Sequence, residues 1–270
     1  MFKEKYFEVQ NVSAGYFDKE IVHNVSFSVE PHTLTALIGP NGCGKTTLLK
    51  SIVNLLEYQG KCLLHGEELK EFSTKKLARK ISYIPQRSGI HVSMSVLDVV
   101  LMGYNPVLKL LERPNKKQKQ RAKEAIISVG LSEYMEKDYL TLSEGQKQLV
   151  LLARTMIEDT ELLILDEPDS ALDFQNRYLI LNILKQMTDK EEKAGILCIH
   201  DPAIALEFCQ QIVVMKEGKI IDILHPQKDS LERMEKALQS IYGNVTLSKC
   251  MDRNAHTHIV LLWEGDSCVQ

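Results

Sequence analysis

Apolar and polar positions change period along this chain, and the changes mark out its elements. Residues 5–30 alternate, first through Tyr6, Phe7, Glu8 and Val9 and then from Ile21 to Val29. A period of two predicts half-buried antiparallel strands, with Ala14-Gly15-Tyr16-Phe17-Asp18 between them. Residues 33–38 are β-branched and apolar, the mark of a buried strand. Leu48, Leu49, Ile52, Val53 and Leu56 then recur at helical spacing. A short meander is expected over 60–66, a polar helix over 74–80 and a strand over 81–84, stopped by Pro85 and followed by Gln86. From 92 to 135 the pattern is helical, with a break at 105–114. Residues 142–146 open a further helix. Leu162, Leu163, Ile164 and Leu165 are four consecutive aliphatics, expected for a parallel strand covered on both faces, and they run into Asp166-Glu167-Pro168. A helix through Tyr178, Leu181 and Leu184 follows, then a strand over 195–199 that ends in His200-Asp201-Pro202. A helix over 203–208 and a strand over 212–215 lead to the Glu217-Gly218 turn. At the end, Leu231, Met234, Leu238 and Ile241 predict a helix, and 257–263 a strand. There is no internal repeat.

Composition narrows this only a little. With 270 residues, 44% of them hydrophobic and 26% charged, the chain can hold one large α/β domain and a smaller satellite. A net charge of −3 gives no bulk electrostatic case for nucleic acid. The first residues lack the apolar core of a signal peptide. No apolar stretch approaches the ~20 residues that span a bilayer, so work at a membrane would require docking to another chain. The six cysteines form no CxxC pair. Cys198 lies in an apolar run where packing is its expected role, and oxidation of Cys43 would obstruct the loop described next. A reducing cytoplasm is the simplest setting.

The chemistry concentrates at Gly39-Pro40-Asn41-Gly42-Cys43-Gly44-Lys45-Thr46-Thr47, which fits G-x-x-x-x-G-K-[ST] and has the strand and helix that this motif requires. Glycines let successive backbone N–H groups turn inward as an anion nest, and the following helix adds its positive end. Lys45 would reach the β- and γ-phosphates, and the Thr46 hydroxyl would ligate Mg²⁺. This loop is expected to bind a nucleoside triphosphate. Other candidates are more open. Tyr16 is either an adenine-stacking aromatic or an ordinary hairpin side chain. Ser143 and Gln146 have capping-box spacing. Asp166 and Glu167 are adjacent carboxylates at the carboxyl end of a strand, where ligands sit in open α/β sheets. His200 holds a similar place and reads first as structural. Residues 116–121 form a solvated helix face. Cys250, His256 and His258 are of metal-ligand type, and the two histidines share a face if extended, but their spacing matches no zinc pattern.

Five elements therefore follow in one order: phosphate loop, strand plus Gln86, Leu-Ser-x-Gly-Gln, aliphatic strand plus Asp-Glu, and strand plus His. That order resembles the ATP-binding cassette of ABC transporters, over residues 5–225. The resemblance implies an α/β fold with a P-loop (RecA-like) core, an antiparallel β subdomain and an inserted helical subdomain at about 87–158. Residues 226–270 would be a small C-terminal extension. It implies ATP and Mg²⁺ as cofactors, with Gly39 to Thr47 as Walker A and residues 162–167 as Walker B. Asp166, Thr46 and Gln86 would hold Mg²⁺, Glu167 would polarise the attacking water, and His200 would contact the γ-phosphate. Tyr16 would stack on adenine, and Ser170 to Asp173 would form the D-loop. Ser143, Gly145 and Gln146 would act on ATP held by a second copy of the chain.

The implied partners are that second copy, an integral-membrane permease at the cytoplasmic face of the membrane, and indirectly an extracellular or periplasmic substrate-binding protein. No nucleic acid is implied. Glu144 stands where Gly is commoner and is expected to point away from the phosphate; Asp169 stands where Thr or Ser is usual. Residues 38–45, Leu101-Met102-Gly103-Tyr104 and Leu172-Asp173-Phe174 are similar to importers of iron–siderophore complexes, haem and cobalamin, in which the segment at about 87–113 receives the permease. An exporter or lipid-transport cassette, or a soluble cassette acting on ribosomes or DNA, is the alternative.

Overall fold

The computed structural model describes residues 6–168, 172–190 and 193–264. In chain order these form β1 (Phe7–Tyr16), β2 (Lys19–Val29), β3 (Leu34–Ile38), α1 (Lys45–Ile52), β4 (Tyr58–Leu64), β5 (Glu67–Glu68), α2 (Thr74–Lys80) and β6 (Ile81–Ile84). The next are α3 (Val96–Leu101), α4 (Lys116–Ser128), α5 (Glu144–Glu158), β7 (Leu162–Asp166), α6 (Phe174–Lys190) and β8 (Ala194–Cys198). The last are α7 (Pro202–Phe208), β9 (Gln211–Lys216), β10 (Lys219–Leu224), α8 (Leu231–Tyr242), β11 (Val245–Met251) and β12 (Thr257–Trp263). They divide into two compact units, residues 1–71 with 196–270, and residues 72–195.

In the first unit the alternating sequence builds an antiparallel sheet in the order β2-β1-β4-β5. Phe7, Val9, Val12 and Ala14 point inward from β1, as period two requires. The β1–β4 register slips between Gln10 and Ser13. There Asn11 is left-handed (φ 49°), and Gly60 (φ 86°) brings its backbone so near that a Cβ would lie 2.3 Å from the Asn11 carbonyl. That bulge has room only for glycine.

β3 is buried along its whole length and runs parallel to β9, from Thr35↔Gln211 to Ile38↔Val214, while β10 returns antiparallel. The Ile199 amide donates to the Leu37 carbonyl (3.2 Å), so the segment leaving β8 lies beside β3. The described residues after β10 form a helix and a hairpin. α8 starts at a Ser230 N-cap that accepts from the Arg233 amide, and it buries Met234, Ala237 and Leu238. It then supports the hairpin β11–β12. The strand over 245–251 was not expected: only Val245 and Leu247 are buried, and four polar or exposed residues follow.

In the second unit β6 and β7 pair in parallel from Ile81↔Leu162 to Ile84↔Leu165, and the Ala194 amide donates to the Glu161 carbonyl (3.1 Å). All five β7 residues are buried, as their aliphatic run predicts. Ser82 and Thr160 share a hydrogen bond of 2.6 Å, and Lys80 pairs with Glu161. α3, α4 and α5 pack on one another through Val96, Val99, Val100, Ala122, Ala125, Ile126 and the apolar face of α5. The break at 105–114 is an irregular connection closed by an Asn115 capping box. Ser170, Ala171, Asp169 and Cys268, singled out in the sequence, lie outside the described residues.

Because α8 is tied to the β9–β10 side by buried apolar side chains, Leu238→Ala should lower stability by about 2–5 kcal/mol, read as a fall in the urea midpoint. An unchanged midpoint would mean that the C-terminal helix contributes nothing to the fold of the first unit.

Candidate functional site

Residues 39–44 leave β3 at its carboxyl end and turn into α1. Gly39, Gly42 and Gly44 have φ values of 153°, 78° and 106°. A Cβ on Gly39 would lie 2.2 Å from the Met215 carbonyl and 2.8 Å from Cys43 Sγ, so β9 and the loop together exclude any side chain there. Backbone bonds hold the loop from outside: Gly218 N–H donates to the Cys43 carbonyl (3.0 Å), and His23 N–H to the Gly218 carbonyl (2.8 Å). Lys45 is only 5% exposed. Its ammonium lies under the loop and donates to the Gly39 carbonyl at 2.8 Å and the Pro40 carbonyl at 3.2 Å. Thr46 and Thr47 follow in the first turn of α1.

Two other candidates lie in the same unit. Tyr16 ends β1, is 38% exposed and borders an open cleft of about 800 Å³ lined by residues 13–20 and 55–59. That lining contains no phosphate-loop residue. His200 is exposed just after β8, ahead of an Asp201 N-cap and Pro202 at the start of α7. Its carbonyl accepts the Tyr242 hydroxyl (3.2 Å). Burial, with Asp201 nearby, pushes the Tyr242 phenol up to about 12 and keeps it a donor. Sequence reading did not single out Tyr242, because a tyrosine at the end of an amphipathic helix gives no signal of its own.

In the second unit, Asp166 is the last residue of β7 and is 1% exposed. Glu167 follows in the left-handed region (φ 53°), which turns the chain sharply as the strand ends. Its carboxylate accepts from Gln86 Nε2 at 2.6 Å, so two residues 81 apart in sequence meet. Gln86 is itself held, its carbonyl accepting from the buried Gln148 Nε2 (3.1 Å). Gln148 was missed; its signal was a second amide two residues beyond Gln146, on the inner face of the same helix.

Ser143 caps α5 as its spacing predicts. Ser143 Oγ accepts from the Gln146 amide (3.3 Å), and Gln146 Oε1 accepts from the Ser143 amide (3.0 Å). The hydroxyl is an acceptor in this box, so its proton remains available to an acceptor beyond the helix. Ser143 is exposed and Gly145 half-buried. Glu144 pairs with Lys147 at 2.8 Å, which offsets its charge beside the helix end. Asp173 caps α6, accepting from the Asn176 amide at 2.9 Å.

Within the second unit, Asp166 and Gln86 offer a carboxylate and an amide oxygen, donors of the kind that a hard divalent cation takes.

A parallel strand that empties into a glycine loop, with an ammonium beneath it and a helix behind it, defines a phosphate-loop nucleoside triphosphatase. Residues 22–170 match the ABC transporter family, and the chain belongs to it. Over 215 residues it is 36% identical to a probable iron chelatin transport ATP-binding protein of Helicobacter pylori, covering 79% of this chain and 84% of that one. It is 32% identical to the iron(3+)-hydroxamate import ATP-binding protein FhuC of Bacillus subtilis, covering 78% and 79%. It is also 33% identical to the manganese transport system ATP-binding protein MntB of Listeria monocytogenes, covering 89% and 98%. Among solved structures, an inward-facing metal-chelate type ABC transporter superimposes with a TM-score of 0.79 over 96% of this chain and 98% of that one, at 23% identity, a likeness of fold. Among the described residues no helix is long and apolar enough to cross a membrane.

Gln148→Leu keeps the volume but removes the hydrogen bond to Gln86. A lost hydrogen bond of about 1 kcal/mol predicts a roughly fivefold fall in ATPase kcat, with ATP affinity unchanged. A kcat equal to that of the parent would show that the Gln86 backbone needs no such support.

Proposed function

We propose that this chain is the ATP-hydrolysing subunit of an importer of iron–siderophore or related metal chelates, working with a separate permease. The observation that carries the importer reading is the pair of iron-chelate relatives, 36% and 32% identical over 84% and 79% of their own length. In this reading residues 1–225 are the cassette and 226–270 an extension.

ATP binds by exchange. Phosphate oxygens replace the Gly39 and Pro40 carbonyls as partners of Lys45, and loop amides with the start of α1 take the remaining phosphate charge. Tyr16 stacks on the base. Thr46, Gln86 and Asp166 would hold Mg²⁺, which would supply neutralisation of the phosphate charge. Glu167 orients the attacking water and accepts its proton, and Gln86, already bonded to that carboxylate, fixes its direction. His200 donates to the γ-phosphate.

One phosphate loop leaves the outer side of the γ-phosphate open to water. We assign its closure to Ser143, Gly145 and Gln146 of a second copy, with Asp173 beside them. In support, the amino end of a fifteen-residue helix is exposed and its serine keeps a proton to donate. Hydrolysis then removes the charge that joins the copies. The permease would dock on the segment at about 87–113, where Val92, Val107, Leu110 and Leu111 are exposed apolar residues, placing the subunit on the cytoplasmic face of the membrane. A substrate-binding protein on the far side would deliver the chelate.

A second reading, import of a free divalent metal ion, is favoured by MntB, matched over 98% of its length. Proteoliposomes holding the chain, its permease and its binding protein separate the two. Ferric siderophore should stimulate ATPase activity and manganese should not; the reverse selects the second reading, and stimulation by neither rejects both.

Lys45→Ala should abolish tight ATP binding by calorimetry; unchanged affinity would remove the phosphate-loop assignment. Glu167→Gln should bind ATP normally, turn over about 10²-fold or more slowly, and run as an ATP-dependent dimer. Parent-like turnover would mean that another base acts.

A further inference from the structure

The last turn of α8 ends against the nucleotide motifs of its own unit. Lys216 Nζ, at the end of β9, donates to the Ser240 carbonyl (3.0 Å). The residue before it, Met215, presents the carbonyl that excludes a Cβ from Gly39. The end of β9 thus touches the phosphate loop on one side and the helix end on the other. α8 stops after Tyr242 because Gly243 takes a φ of 77°, a conformation that glycine supplies, and its amide donates to the Gln239 carbonyl (3.0 Å). With Met234, Ala237 and Leu238 buried, the helix cannot slide along its axis without exposing them.

The Tyr242 phenol oxygen meets two motifs at once. Its O–H donates to the His200 carbonyl (3.2 Å), and the Gly39 amide donates to the same oxygen. A phenol offers one donor and a limited acceptor capacity, so both partners are served by a single group. Burial, Asp201, Cys43 and Cys198 push the phenol up to about 12 against the lowering by Gly39, and the O–H therefore persists at any ordinary pH. The two partners differ in how they are otherwise held. Gly39 is locked by Met215, and its carbonyl accepts from Lys45 (2.8 Å). His200 lies in the short connection between β8 and α7. Before it, the Ile199 amide donates to Leu37; after it, the Asp201 carboxylate accepts the Ala203 amide (2.9 Å). Between these anchors the His200 carbonyl is held by Tyr242.

We propose that Tyr242 is a positioning residue for ATP hydrolysis: its hydroxyl fixes the His200 peptide against the first residue of the phosphate loop, and so fixes where the imidazole leaves the chain. The inference rests on the γ-phosphate contact assigned to His200 above. It makes the C-terminal helix, which carries none of the cassette motifs, a support of the nucleotide site. Loss of the hydroxyl frees the His200 peptide to rotate and carries the imidazole with it. Loop amides and Lys45, which bind the nucleotide, keep their own anchors. The effect therefore falls on turnover and not on affinity.

The test is Tyr242→Phe, which keeps the ring and its packing and removes only the hydroxyl. In the chain assembled with its permease, ATPase kcat should fall about fivefold, the scale of one hydrogen bond. The KM for ATP should stay within about twofold, as expected when only the chemical step is affected. On the full chain, the His200 ring resonances, assigned by their loss in His200→Ala, should shift while those of the other histidines stay in place. A parent-like kcat in Tyr242→Phe, or a lowered kcat with the His200 resonances unmoved, would overturn the inference. His200→Ala separates the two levels of the argument. Parent-like turnover in that variant would refute the γ-phosphate contact itself, and the inference with it. Lost turnover there, beside parent-like turnover in Tyr242→Phe, would leave the contact standing and remove the inference alone.

Discussion

The constraint on which the phosphate loop depends is at Gly39, where the carbonyl of Met215 occupies the space that any Cβ would need. β9 lies against the start of the phosphate loop because it pairs in parallel with β3, up to Ile38↔Val214. The next turn, at Glu217-Gly218, closes on the loop from outside through Cys43. The loop therefore has one conformation set by backbone on backbone contact, and Lys45 can be buried under it with its ammonium satisfied by two carbonyls. A buried cation is costly unless paired. Here its partners are weak enough, as neutral acceptors, to yield to the charged oxygens of a triphosphate.

The other half of the chemistry follows the same logic with side chains. Glu167 takes a left-handed backbone that a non-glycine residue adopts at a cost of order 1–3 kcal/mol. The turn swings its carboxylate off the strand axis, where Gln86 meets it, and Gln148 in turn holds Gln86. Strain and a short chain of amides fix the direction of this carboxylate. At Ser143 the capping box uses one acceptor position of Oγ and leaves the hydroxyl proton for another partner.

Where period and chemistry agreed, the fold was legible in the sequence. The helix over 74–80, the strand over 81–84 and the strand over 257–263 lie where periodicity and turn residues put them, whereas the bond between Gln86 and Glu167 became visible only in the structure. Residues 245–251 escaped because an exposed hairpin strand needs only its first positions to be apolar, too few to set a period. Gln148 and Tyr242 escaped for another reason. Each acts by holding the backbone of a motif residue, and a side chain that binds a carbonyl leaves no compositional trace. Asp252 was likewise invisible as a partner of His256 and His258 until the register of the hairpin was known.

The joining of two copies through ATP is tested most directly by the structure of the Glu167→Gln subunit bound to its permease and to ATP. Ser143 Oγ of one copy is expected about 2.8 Å from a γ-phosphate oxygen whose other partner is Lys45 of its twin. A nucleotide held by Lys45 with every Ser143 remote from phosphate would contradict it.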